Sequence, residues 1–262
     1  MKNLLRLFMI LFVFVLYSCS EKQDEKKYGN FMLKFDHKAD GKPLIFDSMC
    51  YVNAANNPYE INEIMYFISS VTLHYQNGDK FLVDPLTPIH FVNPDIEGTL
   101  SWYSNNIVPV GNCDSITFTF GLSDKDNLSN IFVNPPEVNM AWPEALGGGY
   151  HYMMMNGFYK DSNGVRKTNN FHLGRGQIYD ENHQITEFID NSFTVKPEGS
   201  TFKIAESSTT TAVLTMNIES WFTTPVIYDF NVWGGAIMQN QAAMNTACKN
   251  GSDAFSINYS YQ

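Results

Sequence analysis

Positive charge is scarce in this chain. Lysine and arginine together number 17 against 27 aspartates and glutamates, a formal net charge of −10. Removing residues 1–18 takes away Lys2 and Arg6 and no acid, which leaves 15 basic side chains against 27 acidic ones. Such a surface repels phosphate backbones and argues against a nucleic-acid partner. Cysteine is equally sparse, four in all with no C-x-x-C, so a thiolate zinc site or a redox dithiol has no support. G-x-S-x-G, H-E-x-x-H and a glycine-rich phosphate loop after a strand are all missing, and no nucleophile or acid–base pair stands out. The chain reads as a non-enzyme. Repeats, charge runs and long linkers are lacking too, which favours one domain.

What is present begins at the N-terminus. Lys2 and Arg6 precede the apolar run from Leu7 to Leu16, which is too short to span a bilayer and reads as a signal peptide. The run ends in Leu16-Tyr-Ser-Cys19, a sequence that resembles a bacterial lipobox with Cys19 as the acylated residue. Residues 1–18 are therefore expected to be a lipoprotein signal, and residues 19–29 a polar, flexible tether. Residues 30–262 are expected to be the folded domain. Acidic residues directly behind Cys19 resemble a surface-export signal, so the expected location is the cell envelope: outer membrane, lipid-anchored, surface-exposed.

The body of the chain is 15% aromatic and 44% hydrophobic, a composition that favours sheet and a large core. Short strand-like runs alternate with turns. In Cys113-Asp-Ser-Ile-Thr-Phe-Thr-Phe120 the residues Ile116, Phe118 and Phe120 fall on one face. Asn77-Gly78 marks a hairpin, and Asp161-Ser-Asn-Gly164 a second one between Tyr150–Lys160 and Val165–Gly174. Residues 121–149, rich in Asn, Asp, Pro and Gly, predict a long excursion from the sheets. A helix is expected only late, over Ala236–Lys249, ending at Asn250-Gly251. The expected fold is all-β: one β-sandwich-like domain with long loops and one short C-terminal helix.

Candidate chemistry concentrates in Met140–Met155 and Asn170–Gly174. Imidazole with thioether is a ligand set that suits copper better than magnesium or calcium. Two-residue alternation puts His151 beside Met153 and Met155, and the hairpin brings His172 across from them. His151 and His172 are the leading ligand candidates; His37 and His90, on or beside early strands, are reserves. His74 and His183 read as surface residues. Gly147-Gly-Gly149 leads into a strand and fits close backbone approach better than anion binding. Asp124, Asp126 and Asn127 lack the downstream residues of a calcium loop and read as turn formers. Cys50, Cys113 and Cys248 are compatible with one disulfide or with three free thiols. Trp102, Trp142, Trp221 and Trp233, if exposed, would suit a carbohydrate-binding surface.

These residues also carry a family resemblance. Phe35-Asp-His37, Tyr66-Phe-Ile-Ser69, Phe118-Thr-Phe-Gly-Leu122, Met140-Ala-Trp-Pro143, Gly148-Gly-Tyr-His151, Phe171-His-Leu-Gly174 and Asn250-Gly-Ser-Asp-Ala-Phe255 together resemble the MbnP-like, methanobactin-associated copper-protein family, in the version found among Bacteroidetes lipoproteins. The resemblance implies a β-rich envelope protein that holds Cu(I) with histidines and a tryptophan oxidised to kynurenine. It also implies a di-haem peroxidase-like protein as partner. His172 matches the H-L-G motif, His37 a histidine ending the first strand, and Trp142 the M-x-W motif, as a candidate modified or packing residue. The family's second nearby tryptophan is absent: Pro143-Glu144 stand there. A non-metal module that docks the peroxidase-like protein or an outer-membrane complex is the rival expectation.

Overall fold

The computed structural model describes residues 26–104, 107–199 and 201–261. The expected signal peptide and the lipidation candidate Cys19 lie outside them. No helix among the described residues is long and apolar enough to cross a membrane.

The domain is an all-β sandwich of two sheets. The smaller is built on β1 (Tyr28–Ala39), and the larger on the 18-residue β2 (Pro58–Tyr75). The larger sheet adds β3 (Ile89–Val92), β4 (Gly111–Phe120), β5 (Met153–Lys160) and β6 (Arg166–Leu173), in the order β6–β5–β2–β4 with β3 also on β2. The six-stranded smaller sheet adds β7 (Thr209–Asn217) and β8 (Phe255–Tyr261), with three short strands also paired to β1. β7 runs parallel to β1, with Phe31 opposite Thr210 and His37 opposite Met216.

The expected alternation holds in β4, where Ile116, Phe118 and Phe120 are buried and the residues between them are not. The space between the sheets is aromatic. Phe120 stacks on Tyr66 at 5.7 Å and meets Phe255 of the smaller sheet at 5.6 Å. Burying each such ring contributes about 2–3 kcal/mol to folding. Phe171 of β6 packs on Trp221, Phe222 and Tyr228, which follow β7. These contacts define the inner face of the large sheet as the one carrying Tyr66, Met153 and Leu173.

The late helix spans Gln241–Gly251, later at both ends than expected. The Asn240 side chain accepts from the Ala243 amide and so fixes the start at an N-cap. Two one-turn helices, Ser220–Thr223 and Phe230–Trp233, precede it. A two-stranded ribbon, Gly176–Tyr179 with Ile185–Ile189, follows β6 and has no counterpart in the expected pattern. Cys50, Cys113 and Cys248 are all free thiols.

Candidate functional site

The excursion expected over residues 121–149 runs on to Tyr152, because the next strand starts only at Met153, and it packs on the outer face of the large sheet. Phe67 of β2 stacks on Phe132 at 5.4 Å, and Phe132 meets Tyr150 at 4.9 Å. The Tyr150 hydroxyl accepts from the Phe132 amide and donates to the Phe132 carbonyl. The excursion then folds back on itself. The Trp142 amide donates to the Gly149 carbonyl, and the His151 amide to the Met140 carbonyl.

The triple glycine makes that return tight. Gly147, Gly148 and Gly149 take φ of 107°, 63° and 82°, and a side chain at Gly149 would collide with Asn127. The Asn127 carboxamide oxygen instead accepts from the Tyr150 amide. This is the close backbone approach that the glycines predicted. Asp126 acts locally, accepting from the Ser123 hydroxyl, whereas Asp124 accepts from Arg175, which follows β6.

The expected hairpin of β5 and β6 turns at Asp161–Gly164, with Met154 opposite His172 and Met153 opposite Leu173. His172 therefore shares the outer face with Met154. Met153 and Met155 point inward and are fully buried core residues. The expectation that His151 lies in line with Met153 and Met155 fails at a bend. β5 begins only at Met153, and the Tyr152 amide donates to the Leu173 carbonyl. Before that bend His151 belongs to the excursion, and its ring reaches the outer side.

There the two predicted histidines meet. Their rings are 5.1 Å apart between centroids and perpendicular. His151 is 6% exposed, and its Nδ1 lies 2.9 Å from the Met140 carbonyl oxygen. A carbonyl can only accept, so Nδ1 carries the proton and Nε2 keeps a lone pair. His172 Nε2 lies 2.8 Å from Oδ1 of Asn156, whose amide nitrogen donates to the Glu63 carboxylate. Oδ1 accepts, so Nε2 is protonated and the lone pair is on Nδ1. Burial pushes the His151 pKa down against the pull of the Met140 and Ala141 carbonyls. Burial, with the repulsion of a charged His151 behind it, takes His172 down to about 4. Both rings are neutral at neutral pH, the form that binds a metal.

Trp142 closes the cluster on the other side. It is 2% exposed, meets the His151 ring edge-on at 4.7 Å, and donates from Nε1 to the Leu146 carbonyl. A side chain at Gly174 would come within 2.5 Å of the Trp142 ring, so the glycine that ends the H-L-G motif is the seat of the indole.

His37 and His90 lie elsewhere, between the sheets. His37 is 3.1 Å from the Tyr66 hydroxyl, and burial lowers it to about 4 against the opposing charge of Asp36. His90 stacks between Phe35 and Trp102, and its Nε2 donates to the Thr99 carbonyl. Tyr66 faces inward, so neither joins His151 and His172 on the outer face. His74 bonds Thr117, and His183 is exposed in a turn. Among the described residues no three of the side chains His, Cys, Asp and Glu cluster closely enough to hold a metal. The carbohydrate-platform expectation is corrected: Trp102, Trp142 and Trp221 are buried, and Trp233 is partly buried against the core, so the four rings form no exposed platform.

Sequence reasoning missed Asn156, which orients His172, and the place of Met154 beside it, with Met65 one strand beyond. Counting back from the Asp161–Gly164 turn would have set Met154 and Asn156 on the face of His172.

Comparison with known proteins agrees with this architecture. The family model MbnP matches residues 28–241. A solved structure, MbnP from Methylosinus trichosporium, superposes with a TM-score of 0.51 at 14% identity, covering 89% of this chain and 99% of its own. That likeness is one of fold. No curated protein matches the chain.

Proposed function

The chain belongs to the MbnP family, and from that premise we propose that it is a lipid-anchored metal-binding protein of the cell envelope, with copper as its metal and no catalysis of its own. One observation carries the reading: the His151–His172 pair, in which each ring touches the other and has one nitrogen tied to an oxygen acceptor. Histidine ligands typically show this arrangement, because the outer hydrogen bond sets tautomer and orientation. His151 and His172 would hold the ion, and Trp142, in contact with His151, would wall the site or take the modified role the family resemblance implies. Copper held there would give the protein a one-electron redox centre on the outer side of its sandwich. His37 and His90 are read as packing and hydrogen-bonding residues.

The test is metal content with intact mass, on mature protein from its native host purified without chelator. The reading expects one copper per chain, lost in His151→Ala/His172→Ala. No metal, and no retention of added Cu(I) by the wild type, would overturn it.

One feature favours the rival reading, a module that docks a di-haem peroxidase-like or outer-membrane partner. Leu128, Ile131 and Val133, the last 73% exposed, stand out from the excursion that carries the site. On that reading the double histidine change would leave function intact, whereas Val133→Asp would abolish it.

A further inference from the structure

Three donors stand side by side on the outer face of the large sheet. Met154 of β5 lies directly opposite His172 of β6 on one side and Met65 of β2 on the other. Residues so paired have side chains about 5 Å apart, within reach of one another. Both methionines line a groove of about 290 Å³, together with Glu63, Asn93, Asn139 and Pro136. No lysine or arginine lines it, and the Glu63 carboxylate gives the groove a negative rim.

These methionines differ from the rest of the core set. Met140, Met153, Met155, Met216 and Met244 are fully buried, where methionine serves as a space filler. Met154 is partly exposed, and Met65, although 8% exposed and packed in the core, still borders the same opening. His151 is almost closed off from solvent, so an ion bound by the histidine pair needs a way in. The side of His172 next to Met154 leads toward the groove, whereas the side next to His151 leads to Trp142 and the excursion. Thioether sulfur is a soft, neutral ligand that prefers cuprous copper to zinc, magnesium or calcium.

We propose that Met65 and Met154 form a thioether port for a soft monovalent cation, Cu(I), from which the ion passes to His172. The inference rests on the reading of the histidine pair as a copper site. The port binds weakly and sets the rate of loading; the histidines set the final affinity.

The experiment labels the methionine methyl groups with carbon-13 in the folded domain and titrates it with Ag(I), a redox-inert probe for Cu(I). The Met65 and Met154 signals are expected to move at the first additions while the buried methionines stay fixed. They should move in His151→Ala/His172→Ala as well. A second measurement follows Cu(I) transfer from a chelator to Met65→Leu/Met154→Leu, swaps of similar volume. Loading is expected to slow about tenfold or more, with final affinity within about threefold of wild type. Static Met65 and Met154 signals in both proteins would overturn the port, as would wild-type loading in the leucine variant. If the signals move but wild-type protein loses Cu(I) to the chelator, the port stands and the histidine reading fails. If wild type retains Cu(I) while the signals stay fixed, the reverse holds.

Discussion

His151 and His172 meet edge to face, 5.1 Å between ring centroids and 87° between planes. One comes from an irregular excursion and the other from a regular strand, so the pair exists only when the excursion is seated on the sheet. Whatever fixes either ring therefore acts on both, and the predictions concern those fixings.

Asn156 is the hold on His172. Its Oδ1 accepts a hydrogen bond from Nε2–H while its amide nitrogen donates to Glu63. Asn156→Ala should free the ring to rotate and to exchange tautomers. Cu(I) affinity, measured by competition with a chelator, is expected to fall about 10–100-fold. Stability should drop by only about 1 kcal/mol in urea unfolding, since the site is partly open to water. Unchanged affinity would remove Asn156 from the site.

Gly174 is the hold on Trp142. A methyl group there would sit 2.5 Å from the indole, a rigid neighbour that is itself buried. Gly174→Ala is expected to cost about 1–3 kcal/mol in unfolding free energy by overpacking. It should also shift the tryptophan emission toward the red as the indole leaves its seat, and weaken metal retention through His151. A variant of wild-type stability and emission would show that the indole adjusts without cost.

Much of this was legible locally. Alternation in Ile116, Phe118 and Phe120 found a core strand, and Asp161–Gly164 found the hairpin that carries His172. What failed to show depends on distant partners. The parallel pairing of Phe31 with Thr210 joins segments far apart in the chain, and no periodicity within either segment encodes it. The position of His151 was misread because alternation was extended past Tyr152. There the Leu173 carbonyl and the returning excursion bend the backbone out of register. His37 and His90 have the strand setting that suggested ligands, but the sheet-to-sheet packing that turns them inward is a tertiary fact.

Acid should weaken the fold through its histidines. His37 and His172 are both lowered to about 4 by burial, against about 6.5 in an unfolded chain. Between those values the unfolded chain takes up protons that the folded protein refuses, so stability falls as pH drops from about 6.5 toward 4. Above about pH 7 neither group contributes a slope. The loss approaches roughly 2–3 kcal/mol per histidine at the acid end, at about 1.4 kcal/mol for each unit of difference. Urea midpoints should decline steadily over that range, and His172→Asn should flatten the decline. A His172→Asn protein with the wild-type slope would contradict the assignment.

The three thiols should be separable by reactivity alone. Cys50 is exposed, whereas burial raises Cys113 and Cys248 to about 12, so that neither holds appreciable thiolate at neutral pH. Cys248 is further engaged with the Asn191 carbonyl. Reaction requires both access and thiolate. In a soluble form with Cys19→Ser, an alkylating reagent should label Cys50 in the native state within minutes. Cys113 and Cys248 should react only as the domain unfolds, at a rate that follows global opening. Reductant should leave the melting temperature and the intact mass unchanged, because no pair is bridged. A mass gain of two hydrogens on reduction would mean that two of the thiols are bridged, and native labelling of Cys113 that β4 opens in a way this packing forbids.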